Sequence, residues 1–224
     1  MKIRRITIMK KELTELVFIL DRSGSMAGLE SAAISSFNSM LQKQQQEPGE
    51  AIVTTALFND EYELLHDRSD LKDIRSLTAQ EYYARGNTAL LDAIGKTIRK
   101  IAAARRQTDG DEITAKVIVV IITDGKENAS LEYSSHIIKT MVEEQKRLYG
   151  WKFIFLGANL DAIAAAARIG ISADHAADYC ADSAGIRLSF EAVSEAISDL
   201  RAGGEIKNSW RTKINEDYSR RMKE

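Results

Sequence analysis

At 224 residues, with 44% hydrophobic and 29% charged side chains, the chain has the balance of one large globular domain with apolar material for a sizeable core. A net charge of −2 gives no global pull toward nucleic acid or a membrane surface, so neither is an expected partner. The one cysteine, Cys180, excludes an internal disulfide framework, and no run is long and apolar enough to span a bilayer.

Residues 1–14 carry Lys2, Arg4, Arg5, Lys10 and Lys11 without a continuous apolar stretch or a small-residue cleavage site. They read as a basic leader rather than a signal peptide, with Met9 as an alternative start, and the expected location is the cytoplasm. Glu15 to Leu20 is a short apolar run that predicts a buried strand ending in the turn-rich segment 21–28. Leu29, Ala33, Phe37, Met40 and Leu41 recur at helical spacing until Pro48-Gly49 stops them. Ala51 to Phe58 predicts a second strand, and Asn59-Asp60 turns it into a third over Tyr62 to His66. Residues 67–84 are polar and read ambiguously, with a short helix as one option. Thr88 opens a helix with Leu91, Ile94, Ile98 and Ile101 on one face, followed by a loop over 107–112.

Lys116 to Ile122 is the most apolar run, as expected of a strand in the middle of a parallel sheet covered on both faces. A helix bearing Ile137, Ile138, Met141 and Leu148 follows, then a strand from Trp151 to Leu156, a short helix from Leu160 to Ile169 and a short strand from Ala177 to Cys180. In that strand the Cys180 thiol is expected to be buried and inert. Ser183 caps a helix carrying Ile186, Phe190, Val193, Ile197 and Leu200. The alternation predicts an α/β fold: a doubly wound, mostly parallel sheet with one antiparallel edge strand and helices on both faces. The domain is expected over 15–202. Residues 203–224 form a charged tail, helical by the recurrence of Ile206, Trp210, Ile214 and Tyr218, and that stripe is expected to pack on the domain itself or on a second chain.

In such sheets ligands bind beyond the carboxyl ends of the strands. There the first strand is followed by Asp21-Arg22-Ser23-Gly24-Ser25, one carboxylate and two hydroxyls on alternate positions. All are oxygen donors, suited to a hard cation such as Mg²⁺ or Mn²⁺ rather than zinc. An ordinary strand-to-helix turn with serine caps has the same composition. Two further segments favour the metal reading: Arg85-Gly86-Asn87-Thr88 brings a hydroxyl on a glycine loop, and Thr123-Asp124-Gly125 puts a carboxylate at the end of the central strand.

Asp-x-Ser-x-Ser, a later Thr after a glycine turn and Thr-Asp-Gly after a hydrophobic strand resemble the metal-ion-dependent adhesion site of von Willebrand factor A-type domains, over roughly residues 16–200. The resemblance implies a Rossmann-like domain in which Ser23, Ser25 and Thr88 offer hydroxyls to the metal and Asp21 and Asp124 act directly or through water. The family's threonine loop often has proline after the threonine; here Ala89 stands, which bears on loop stiffness more than on ligation. The single-domain, leaderless form resembles bacterial intracellular members of the family, including those linked to tellurite and other stress-response systems.

The resemblance implies a binding module rather than an enzyme, with a protein partner supplying an Asp or Glu to the metal. Two alternatives stand beside it: a metal-dependent phosphohydrolase and a domain whose metal is only structural. Against the first, the acid/base position two residues after Asp21 holds Ser23, and the sequence has no nucleophile elbow, P-loop or dinucleotide fingerprint. His66, His136 and His175 lack ligand spacing and are expected at the surface. Asp92 reads either as a supporting carboxylate or as a helix N-terminal charge. Asn59 and Asp60 read as site rim or as hairpin turn, and Lys126, Glu127 and Asn128 as ligand contacts or as helix entry. Arg22, Arg85 and Lys126 read as positive field at the rim or, equally, as solvated surface charges.

Overall fold

The computed structural model describes residues 13–107, 116–159 and 161–222. The leader expected at 1–14 lies outside these residues except for its last two, and so does the expected loop from residue 108 onward. The strands are β1 (Leu13–Asp21), β2 (Glu50–Phe58), β3 (Tyr62–Asp70), β4 (Lys116–Thr123), β5 (Lys152–Gly157) and β6 (Ala176–Asp178). The helices are α1 (Glu30–Gln46), α2 (Leu90–Gln107), α3 (Ser135–Tyr149), α4 (Ala162–Arg168), α5 (Ser183–Arg201) and α6 (Thr212–Arg221). One six-stranded sheet runs in the order β3-β2-β1-β4-β5-β6. Only the β2–β3 pairing is antiparallel, so β3 is the antiparallel edge and the other pairings are parallel.

The central strands are apolar throughout because successive side chains enter two cores. Leu16, Phe18 and Leu20 of β1, with Ile118, Val120 and Ile122 of β4, face Phe37, Met40, Phe190, Val193 and Ile197 of α1 and α5. Val17, Ile19, Val117, Val119 and Ile121 face Ile94, Ile98 and Ile101 of α2 and Ile138 and Val142 of α3. On the first face Phe37 meets Phe18 and Phe190 edge-on, with ring centroids 5.3 and 6.1 Å apart. The chain leaves β1 toward β2 on one side, and β4 lies on β1's other side. The switch of direction therefore falls between the tips of β1 and β4, where Leu20 pairs with Ile122.

Several local expectations are corrected. β3 does not stop at His66 but continues to Asp70, and the short helix offered for the segment after it is a single 3₁₀ turn at Leu71–Asp73. A bulge carries it on: Arg68 sits at φ 49, with its amide on Thr54 Oγ1 and its guanidinium on the buried Glu15 carboxylate at 3.0 Å. His66 is thus buried rather than at the surface, its ring nitrogens 3.0 Å from Thr55 Oγ1 and from the Arg75 carbonyl. Asp182, not Ser183, caps α5, accepting the Gly185 amide at 2.8 Å. The strand expected from Ala177 to Cys180 is Ala176–Asp178, so Cys180 lies past its end, half-exposed. The tail turns at Gly203, passes a 3₁₀ turn at Asn208–Arg211 and forms α6, burying Trp210 and Ile214 in the core shared with α1 and α5.

Candidate metal-binding site

The five residues singled out by sequence come together at the β1/β4 tip. Asp21 ends β1 and is 1% exposed. Its Oδ1 accepts the Ser23 amide at 2.7 Å, and its Oδ2 accepts the hydroxyl of Thr123, the last residue of β4. The Ser23 and Ser25 hydroxyl oxygens are 3.1 Å apart, and Ser25 Oγ donates to Asp124 Oδ1 at 2.5 Å. A Cβ built on Gly125 would lie 2.7 Å from Thr88 Oγ1, 3.2 Å from Ser25 Oγ and 3.6 Å from Ser23 Oγ. Three hydroxyls from two segments thus surround the one position that glycine leaves empty. Beside them Asp124 Oδ2 is buried and has no hydrogen-bond partner among the described residues, which is costly unless another group reaches it.

Electrostatics point the same way. Burial pushes the Asp21 carboxyl up to about 6, against the hydrogen bonds from Thr123 and Ser23 that lower it. Burial also raises Asp124 above the usual carboxylate range. Two carboxylates in a desolvated pocket with no basic side chain among their hydrogen-bond partners favour either protons or a cation. Among the described residues no group of three or more His, Cys, Asp or Glu side chains is arranged to hold a metal ion. The present cluster is of another kind, two carboxylates and three hydroxyls, a set fitted to a hard cation.

The threonine loop is held from below. Gly86 adopts φ 72, and a Cβ on it would come within 2.0 Å of Asp60 Oδ2. That close approach lets Asp60 accept both the Asn87 amide and its side-chain Nδ2 at 2.9 Å. Asn59 receives the Ala89 amide on its carbonyl at 3.0 Å. The hairpin turn and the rim are therefore one structure. Gly24 in turn donates its amide to the Gly86 carbonyl at 3.0 Å, tying the serine loop to the threonine loop.

Other groups were missed or misjudged from sequence. Thr123, in sequence only the first residue of the Thr-Asp-Gly motif, aligns Asp21 through its hydroxyl. The Tyr82 hydroxyl, buried, donates to the Asp21 carbonyl. Arg22 is not a rim cation: it is 1% exposed, with Nη1 on the Glu81 carbonyl at 2.7 Å and Nη2 on Glu63 at 2.8 Å. Arg85 is at the surface, paired with Glu61 at 2.8 Å, and Lys126 is exposed. Asn128 exchanges hydrogen bonds with the Thr88 backbone at 2.9 and 3.1 Å. Asp92, in the first turn of α2, accepts the amides of Leu131, Glu132 and Tyr133 at 2.9–3.0 Å, which makes it a supporting carboxylate for the loop after β4. No local signal marks these roles, because each depends on a partner about 20 to 100 positions away in the chain.

The family model of the von Willebrand factor type A domain matches residues 15–184. A search of curated proteins gives no match. Among solved structures, the chain is similar to proximal thread matrix protein 1 from the mussel byssus, at 14% identity and TM-score 0.57, covering 84% of this chain and 46% of that one. It is similar to the ArnB paralog VWA2 from Sulfolobus acidocaldarius, at 19% identity and TM-score 0.53, covering 82% and 44%. It is also similar to a von Willebrand factor type A protein from Catenulispora acidiphila, at 14% identity and TM-score 0.54, covering 83% and 42%. At these identities the likeness is one of fold, and the chain spans under half the length of each of the three. Among the described residues no helix is long and apolar enough to cross a membrane. With the family match over residues 15–184 and a six-stranded sheet wound on both faces, the chain belongs to the von Willebrand factor type A domain family.

Proposed function

We propose that the chain is a metal-dependent protein-binding module, not an enzyme. Ser23, Ser25 and Thr88 would hold Mg²⁺ or Mn²⁺ through their hydroxyls, with Asp21 and Asp124 acting directly or through water. The observation that carries this reading is the set of three hydroxyls around the empty Cβ position of Gly125, beside the unpartnered Asp124 Oδ2. Neutral hydroxyls offset little of a divalent charge, so the cation would remain a strong attractor for an anion. Mg²⁺ takes six oxygen ligands, and five side chains, some through water, leave a position for a partner's Asp or Glu. Ser25 is exposed at the mouth while Thr88 and Asp124 line the floor, which opens the site toward a macromolecule.

The phosphohydrolase reading is disfavoured by Asp21 itself. Its two carboxylate oxygens accept the Ser23 amide and the Thr123 hydroxyl, and the position two residues on, where an acid/base carboxylate would be needed, holds Ser23, which cannot transfer the proton at neutral pH. The test is affinity capture from the source cell's extract in Mg²⁺ and in EDTA, with Ser25→Ala alongside. A protein retained only by the wild type and only in Mg²⁺ supports the reading. Equal capture in Mg²⁺ and EDTA, with a metal-dependent rise in melting temperature, would leave the metal a structural role. Turnover of a phosphate ester that disappears in Asp21→Asn would instead make the protein an enzyme.

A further inference from the structure

The loop between β4 and α3 is fixed along its length. Glu127 accepts the amides of Leu91, Ala129 and Ser130 at 2.8–3.0 Å. Asp92 accepts those of Leu131, Glu132 and Tyr133, and its own amide is held by Ser130 Oγ at 3.0 Å. The Tyr133 ring lies where a Cβ on Gly95 would be, 2.5 Å from its Cδ1. At the crest of this immobilised segment Leu131 is 94% exposed, more than any other large apolar side chain among the described residues. Polar side chains are the norm at such a crest, and a lone exposed leucine on a mobile loop would mean little. Here the backbone on both sides is pinned, so the point from which the side chain projects is fixed.

That segment is tied to the start of the helix that follows the threonine loop: Asp92, which holds the Leu131 amide at 3.0 Å, and Leu91, whose amide is held by Glu127 at 2.9 Å, lie in the first turn of α2, which begins two residues after Thr88. The intervening Lys126 is exposed. Of the loop's acidic groups, Glu127 is held by backbone amides, and Glu132 is paired with Lys96 at 2.8 Å. The loop that follows Asp124 thus carries both an exposed cation and an exposed apolar side chain.

Resting on the metal-dependent binding reading above, we infer that Leu131 is an apolar anchor for the partner. The partner is an acidic protein segment in which the carboxylate-bearing residue has a large apolar residue about one to three positions away, the span an extended strand covers in about 3–10 Å. The cation takes the carboxylate, and Leu131 takes the apolar side chain out of water. Most of the binding specificity comes from the second contact, since a lone carboxylate is common on protein surfaces.

The test pans a random peptide library displayed on phage against wild type in millimolar Mg²⁺, against wild type in EDTA, and against Leu131→Ser in Mg²⁺. Wild type in Mg²⁺ should enrich Asp or Glu together with Leu, Ile, Phe or Trp at a fixed offset, and EDTA should abolish the enrichment. Leu131→Ser should keep the acidic preference and lose the apolar one. A synthetic copy of the best peptide should bind it about tenfold more weakly, the effect of burying one leucine. Leu131→Ser should retain the wild-type melting temperature and Mg²⁺ response, since the side chain it removes is 94% exposed. Acidic enrichment without an apolar companion, or an apolar preference that survives in Leu131→Ser, overturns the anchor while leaving the metal reading in place. Absence of any Mg²⁺-dependent acidic enrichment overturns the metal reading and the anchor with it.

Discussion

Replacing Gly125 by alanine should remove the cation response of this domain while leaving it folded. The new methyl would sit 2.7 Å from Thr88 Oγ1 and 3.2 Å from Ser25 Oγ, inside ordinary contact distance for both. Thr88 cannot retreat as a unit, because its amide and carbonyl are both bonded to Asn128. The strain is relieved by turning the hydroxyls away, which takes them from the place where they meet. If Mg²⁺ at a hundredfold excess over its dissociation constant adds about 2.7 kcal/mol, the wild type should melt about 5–11 °C higher in Mg²⁺ than in EDTA for a domain of this size. In Gly125→Ala that increment should fall below about 2 °C. Overpacking costs about 1–3 kcal/mol of its own, so the quantity to compare is the Mg²⁺ increment within each protein, read by differential scanning fluorimetry. An increment in Gly125→Ala equal to that of wild type would refute the hydroxyl cradle as the metal site. No increment in wild type would refute the metal itself.

The pH dependence has a definite sign. The Asp21 carboxyl is raised from 3.8 to about 6 in the fold, so in metal-free protein its protonated form stabilises fully below about pH 4, and that contribution is lost as pH rises through about 6. A cation competes with this proton, so the Mg²⁺ increment in melting temperature should grow from about pH 5 to about pH 7; a flat increment would exclude Asp21 from the site. Gly95→Ala should be destabilising by about 1–3 kcal/mol in urea unfolding, although alanine in a helix interior usually gains up to about 1 kcal/mol over glycine. The cause is the Tyr133 ring, which leaves no room for a methyl, and a gain in stability would show that the loop does not pack there. Trp210→Ala should cost about 3–5 kcal/mol, because the indole is buried in the α1/α5 core and donates to the Asp174 carbonyl at 2.9 Å. An unchanged urea midpoint would mean that the tail is not docked on the domain.

The parts of this molecule that were legible in sequence are those written locally. The solid apolar run of β4 announces a strand covered on both faces, and the alternation of strands and helices announces the winding. That five candidate residues would meet at one end of the sheet was readable because the strand ends and loops that carry them are marked by turn chemistry: Asp-x-Ser-Gly-Ser, Gly-Asn-Thr and Thr-Asp-Gly. What the sequence hid is nonlocal. Whether Arg22 points into water or under the chain depends on Glu63 and Glu81, 41 and 59 positions on. Whether residues 67–84 form a helix depends on β2, whose Thr54 and Val53 pair with the continuing strand. His66 follows from the same pairing, since a longer β3 carries it under the returning chain.

The hidden roles also explain the electrostatics of the site. Asp60, Asp92 and Glu127 all lie near the strand tips, and from sequence any of them could have been counted as a further ligand. In the fold each is occupied with backbone amides: Asp60 holds the threonine loop, and Asp92 and Glu127 hold the loop after β4. Their carboxylates are therefore used to fix the positions of Thr88 and Asp124 rather than to neutralise a cation. Only Asp21 and Asp124 remain at the centre, both desolvated and both raised by burial. Had the three outer carboxylates turned inward, a divalent ion would be electrically satisfied and would have no need of an outside anion. The loops are held and the outer carboxylates are kept from the centre for the same reason, and on the metal-binding reading proposed above the two properties together suit a site completed by one more carboxylate.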